Sequence, residues 1–158
     1  MILASNGNQK DIAHFLKVWA YAKTIGEQEG LGPDTQFLLE AEAIIHDIAC
    51  PLCRRKYGNT NGKHQEAESG PLVDEFLKDS GLSDAQKERI RYVVCHHHTY
   101  EGVDGIDWQI LLEADFLVNA EESGYSREAI RHFRNTTALT DTGKRLLDSV
   151  FQLNETGE

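Results

Sequence analysis

No stretch of this chain alternates apolar with polar residues as a half-buried strand would; its apolar residues recur at spacings of three and four. That pattern argues against sheets and for an all-α fold. A first helix is predicted over residues 8–29. There Ile12, Phe15, Leu16 and Trp19 form one apolar stripe, and Val18, Ala22 and Ile25 form a second, with His14 on the same line. Gly30, Gly32 and Pro33 break the chain, and a second helix is predicted over 34–49, ended by Cys50-Pro51. Residues 51–64, with Gly58, Asn59, Asn61 and Gly62, are expected to be irregular, with a short helical turn within 51–57. Further helices are predicted over 65–79 (Leu72, Val73, Phe76 and Leu77 inward), 84–98 (opened by the capping box Ser83…Gln86), 107–122, 126–134 (Ser126 as N-cap) and 141–153 (Thr140 as N-cap). The last few residues are expected to fray. The expected architecture is a compact single-domain bundle of six to seven helices over 1–158, with its core in 8–122 and C-terminal helices in 126–153.

A chain of 158 residues can bury a real core without disulfides or structural metal. Apolar residues make up 40% and no apolar run approaches the roughly 18–20 residues of a membrane span, so no membrane association is expected. The N-terminus lacks a basic region followed by a long apolar one, so the protein is expected to be cytoplasmic. A net charge of −10 repels polyanions and argues against nucleic-acid polymers as partners. A small phosphorylated partner remains compatible, given a metal or local cations. Cys50, Cys53 and Cys95 are expected to be reduced thiols. Cys50 and Cys53 form a CxxC pair, but no strand precedes it and no further zinc ligands stand nearby, so packing is the expected role.

The chemistry lies in polar residues embedded in apolar segments. His46 and Asp47 stand between Ile44-Ile45 and Ile48-Ala49. Neighbouring helix positions point about 100° apart, so at least one of the pair is expected to be buried. A buried carboxylate is costly unless paired or bound to a metal, although an Asp–His hydrogen bond would also satisfy it. Asp115 lies in Leu111-Leu112-Glu113-Ala114-Asp115-Phe116-Leu117-Val118, the most apolar segment, where a nearby Arg or Lys is the alternative partner. Two such carboxylates, with histidines on other helices, make a metal site the economical explanation. Nitrogen and oxygen ligands suit Fe, Mn, Co, Ni or Zn.

The order His14 … His46-Asp47 … Asp115, all on helices, resembles the HD-domain superfamily of metal-dependent phosphohydrolases. Three segments carry the likeness: 11–18 around His14, 43–49 around His46-Asp47, and 111–118 around Asp115. The resemblance implies that His14, His46, Asp47 and Asp115 bind a divalent transition metal. It also implies that His46 and Asp47 serve catalysis, and that the reaction is hydrolysis of a phosphate mono- or diester, of a nucleotide or related small molecule, by metal-activated water. Some members hold a second ion, bridged by the signature aspartate and held by two further histidine positions. Here His97, then His96, are the candidates for one, and His64 or Glu66 for the other. Many members carry a lysine shortly after the signature aspartate; this chain has Cys50, and Arg54, Arg55, Lys56 or Lys63 stand in the following loop. Arg54, Lys63 and His96 are the candidate substrate-binding residues. Tyr57, Tyr100 and Trp108 are candidates to stack a base, against ordinary packing. The alternatives are a diiron oxygenase of the same fold and a non-catalytic metal- or nucleotide-binding module. Oligomeric state, monomer or homodimer, stays open.

Overall fold

A computed structural model of the chain describes residues 1–153. These form eight helices and no strand: α1 Gln9–Gln28, α2 Pro33–Ile45, α3 Cys50–Tyr57, α4 Gly62–Leu77, α5 Asp84–Val94, α6 Ile106–Glu122, α7 Arg127–Thr136 and α8 Asp141–Val150. The expected fraying falls on residues outside those described. No helix among the described residues is long and apolar enough to cross a membrane.

α6 is the axis. Twelve of its residues are buried, on every face, as expected of a helix surrounded by others rather than lying on a surface. Val18, Ala22 and Ile25 of α1 and Leu39 and Ala43 of α2 pack on it in the main core. A second cluster joins Ile45 and Ile48 to Val73 and Leu77 of α4 and Ile90 and Val94 of α5. Leu16 and Phe76, expected inside, stay 46% and 42% exposed. They line an open apolar groove with Met1, Ile2 and Trp19.

The boundaries that differ from the sequence reading are the ones that place the site. α2 stops at Ile45, and residues 46–49 form a tight link in which the Ile48 N–H reaches Ile45 O and the Cys50 N–H reaches Asp47 O. The cause is Pro51. A proline is tolerated in a first helical turn, where its missing N–H has no partner to lose. It therefore starts α3 rather than merely ending α2. The short helical turn expected within 51–57 is thus a two-turn helix, α3, which adds an eighth helix to the seven predicted. α4 begins earlier than expected because the Asn61 side chain caps it, accepting from the Lys63 N–H at 3.0 Å. α5 ends at Val94, so the histidine run lies in a turn and not on a helix.

Two buried carboxylates outside the site shape the core. Glu113 on α6 is fully buried and accepts from Gln109 Nε2 (2.7 Å), the Leu139 N–H (2.8 Å), the Thr140 N–H (3.1 Å) and the Thr140 hydroxyl. It fastens the α7–α8 connection to the axis. Gly143 must be glycine, since a Cβ there would lie 1.9 Å from Glu113 Oε2. On the other side of α8, Glu29 accepts from the Thr142 N–H at 2.8 Å. Glu42 on α2 is also fully buried, yet among the described residues neither oxygen has a hydrogen-bond partner. Burial first, and then the charge of Asp107, push its carboxyl well above the usual range, while Arg89 opposes them; the environment favours the neutral form. Arg89 is engaged elsewhere, reaching Asp107 through Nε (2.8 Å) and Nη2 (2.6 Å).

Glu113→Ala leaves its donors unpaired, and a loss of about 3 kcal/mol in unfolding free energy is expected by chemical denaturation. Glu42 gives a prediction with a sign. Its folded pKa lies above its unfolded value of about 4.3, so the unfolded state releases the proton first as pH rises. Folding stability therefore falls above that pH. Glu42→Gln removes the dependence, and its stability relative to the natural protein should grow from pH 5 to pH 8. Parallel curves would show that folding does not raise the Glu42 pKa.

Candidate metal centre

Four elements converge on one point. α1 supplies His14, the α2–α3 link His46 and Asp47, the turn after α5 His97, and the middle of α6 Asp115. His14 Nε2 lies 3.1 Å from Asp115 Oδ1, 3.3 Å from His46 Nε2 and 3.5 Å from Asp47 Oδ2. His46 Nε2 lies 3.5 Å from Asp115 Oδ1 and 3.8 Å from Asp47 Oδ1, and His97 Nε2 lies 3.6 Å from Asp47 Oδ1. His46 and His97 are 0% and 1% exposed.

The other nitrogen of each ring fixes what these atoms are. His14 Nδ1 donates to Glu122 Oε2 (2.9 Å), His46 Nδ1 to Ala43 O (2.8 Å) and His97 Nδ1 to Val94 O (2.7 Å). Carboxylate and carbonyl oxygens only accept, so each Nδ1 carries a proton, and each Nε2 faces inward, bare in the neutral ring or as a second N–H in the imidazolium. Neutral rings would set three lone pairs against two carboxylates, so positive charge must stand among them, as ring protons or as a metal ion; among the described residues, the buried His97 Nε2 has no hydrogen-bond partner. Such a set is stable around a cation. The local field says the same. Burial opposes charge on His14, but Asp115, Asp47 and Glu122 outweigh it and raise its pKa to about 9. Burial likewise opposes charge on Asp47 and Asp115, yet the histidines hold both below the usual carboxylate range.

The metal-ligating atoms of His14, His46 and Asp47 lie within 4.8 Å of one another, and so do those of Asp47, His97 and His98. Asp47 belongs to both groups. His98 went unread in the sequence, hidden beside two identical neighbours. Burial and then the neighbouring His97 hold its pKa down to about 4, and Gln65 Nε2 donates to its Nε2 at 3.2 Å. Glu66 Oε1 accepts from the His98 N–H (3.1 Å) and the Thr99 hydroxyl (2.9 Å), so Glu66 braces the histidine turn. Gly62 makes room for the ring: a Cβ there would lie 2.6 Å from His98 Cγ and Cδ2.

The remaining sequence candidates are not brought to this cluster. His64 stacks on Tyr57 at 4.0 Å between ring centroids and bonds Asn59. His96 turns back on its own helix, with Nδ1 2.7 Å from Tyr92 O and its ring near Trp108. Lys63 is exposed at the start of α4. Arg54 does reach the site. It lines a cavity of about 210 Å³ over His14, Asp47 and Asp115, and its guanidinium grips both oxygens of Asp11 on α1. Cys50 and Cys53 are buried free thiols; Cys50 Sγ donates to Gln65 Oε1 at 3.2 Å, and burial pushes both thiols up. They pack, as expected.

The HD-domain family model matches residues 11–132. The chain belongs to the HD-domain family. No curated protein and no solved structure gives a significant match to it.

Gly62→Ala should force the His98 ring out of its pocket. In metal-free protein, NMR titration should then find the His98 pKa risen from about 4 toward the ordinary histidine value of about 6.5. An unchanged value would mean that the ring keeps its place.

Proposed function

We propose that the protein is a metal-dependent phosphohydrolase acting on a small phosphate mono- or diester. His14, His46, Asp47 and Asp115 would hold one divalent transition metal, and Asp47, His97 and His98 a second. The supporting observation is the orientation of the three histidines, each with Nδ1 spent on a fixed acceptor and Nε2 facing the two carboxylates. Nitrogen and oxygen donors accept Fe, Mn, Co, Ni or Zn. Bound there, the ions would supply a more acidic water and neutralise developing phosphoryl charge.

The chain's own groups do the rest. Asp47, common to both metal groups and 19% exposed at its side chain, is placed to accept a hydrogen bond from the attacking water and orient it. His46, wholly buried, fixes the centre through Ala43 O. Arg54 takes the part of the missing signature lysine. It stands one helical turn after Cys50, and its planar fork suits two phosphoryl oxygens as it now suits Asp11. Lys10, exposed on the same cavity, adds a second cation.

The test is metal content per chain by elemental analysis, with phosphate release, for the natural protein and Asp47→Ala. One or two transition-metal ions should be found in the natural protein and lost in the variant, with turnover down at least about a hundredfold. A natural chain that stays empty after reconstitution with all five metals would sink the reading. Single variants separate the histidines: His98→Ala should lower metal content, while His64→Ala and His96→Ala should keep it.

A further inference from the structure

The cavity over the metal centre carries information about the substrate beyond its phosphate. On the phosphohydrolase reading above, we infer that the substrate is the phosphate monoester of a small polyhydroxylated molecule, from a triose to a hexose in size, and not a nucleotide.

Volume is the first reason. At about 210 Å³, the cavity is smaller than the roughly 300–1,000 Å³ of sites that enclose drug-sized or cofactor-sized ligands. A phosphoryl group with a few hydroxylated carbons fits; a base, ribose and phosphate together do not.

The lining is the second. Among the described residues, no phenylalanine, tyrosine, tryptophan or aliphatic side chain lines the cavity, whereas a base needs a stacking face or an apolar slot. Among the described residues, none of the aromatic side chains weighed for that role lines the cavity. Tyr57 stacks on His64 and donates to Glu68, Trp108 is 1% exposed, and Tyr100 packs edge-on against Phe133.

Unused polar groups are the third. Among the described residues, the side chains of Lys10, Thr60 and Asn119 line the cavity with no hydrogen-bond or ion-pair partner. An ammonium, a hydroxyl and a carboxamide offer donors and acceptors to substrate hydroxyls and one cation to phosphate. Charge sets the same limit. Lys10 and Arg54 are the two long cations there, Arg54 is already balanced by Asp11, and Glu122 stands beside them. Outside the metal centre itself, that complement suits one phosphate and leaves no further cation among the described residues for a di- or triphosphate.

The experiment uses the full chain reconstituted with its best metal. Phosphate release is followed from glycerol 3-phosphate, a pentose 5-phosphate, a hexose 6-phosphate, nucleoside 5′-mono- and triphosphates and phenyl phosphate. Calorimetry compares non-hydrolysable phosphonate analogues of the pentose phosphate and of the nucleoside monophosphate. At least one polyol or sugar phosphate should exceed every nucleotide by about tenfold or more in kcat/KM, and its phosphonate should bind correspondingly tighter. Asn119→Ala should raise KM for that substrate at least about fivefold more than for phenyl phosphate. Nucleotides turned over as well or better would overturn this inference and leave the phosphohydrolase standing. Metal-loaded protein that hydrolyses none of the panel would overturn both.

Discussion

Three inward histidine nitrogens and two carboxylates cannot share one buried volume without positive charge among them, whether from ring protons or from a metal ion. In a medium of low dielectric, like-signed groups 3 to 4 Å apart repel strongly. Each group is nevertheless fixed: Glu122, Ala43 O and Val94 O set the rings, and the fully packed α6 holds Asp115 at its centre. The five groups come from α1, the α2–α3 link, the turn after α5, and α6, so whatever cation satisfies them also ties these elements together. Packing and chemistry are here one arrangement. The core positions the acceptors, and the charge between them repays the core for burying them.

The helices were legible because their apolar residues repeat with the helical period, and His46, Asp47 and Asp115 were legible because each interrupts an apolar run. What stayed hidden depended on the last turn of an element or on a distant neighbour. A continuous helix over 84–98 makes no choice among His96, His97 and His98. The turn after Val94 does, sending His97 inward, His98 beside it and His96 back toward Tyr92. His64 looked like a ligand while it stood in a loop; as part of α4 it lies against Tyr57.

The argument that singled out Asp115 applies equally to Glu113, two residues earlier in the same apolar segment. Only the tertiary structure separates them. One faces the histidines, and the other faces the backbone of the α7–α8 connection. Glu42, four residues before His46, is a third carboxylate in such a setting, and there burial pushes the carboxyl toward its neutral form. A carboxylate in an apolar run therefore announces a demand for compensation, not which kind. Gly62 and Gly143 were unreadable for a related reason, since each answers to a side chain far away in sequence, His98 and Glu113.

The fastening at Glu113 also bears on where the domain ends. The family match stops at residue 132, but two main-chain donors and a hydroxyl that satisfy Glu113 belong to Leu139 and Thr140. The physical unit is thus longer than the family pattern. A chain cut at the pattern's edge would keep every metal-facing residue and yet leave a carboxylate stranded inside its central helix, two residues from Asp115. The segment after 132 is part of what makes the site's scaffold able to close.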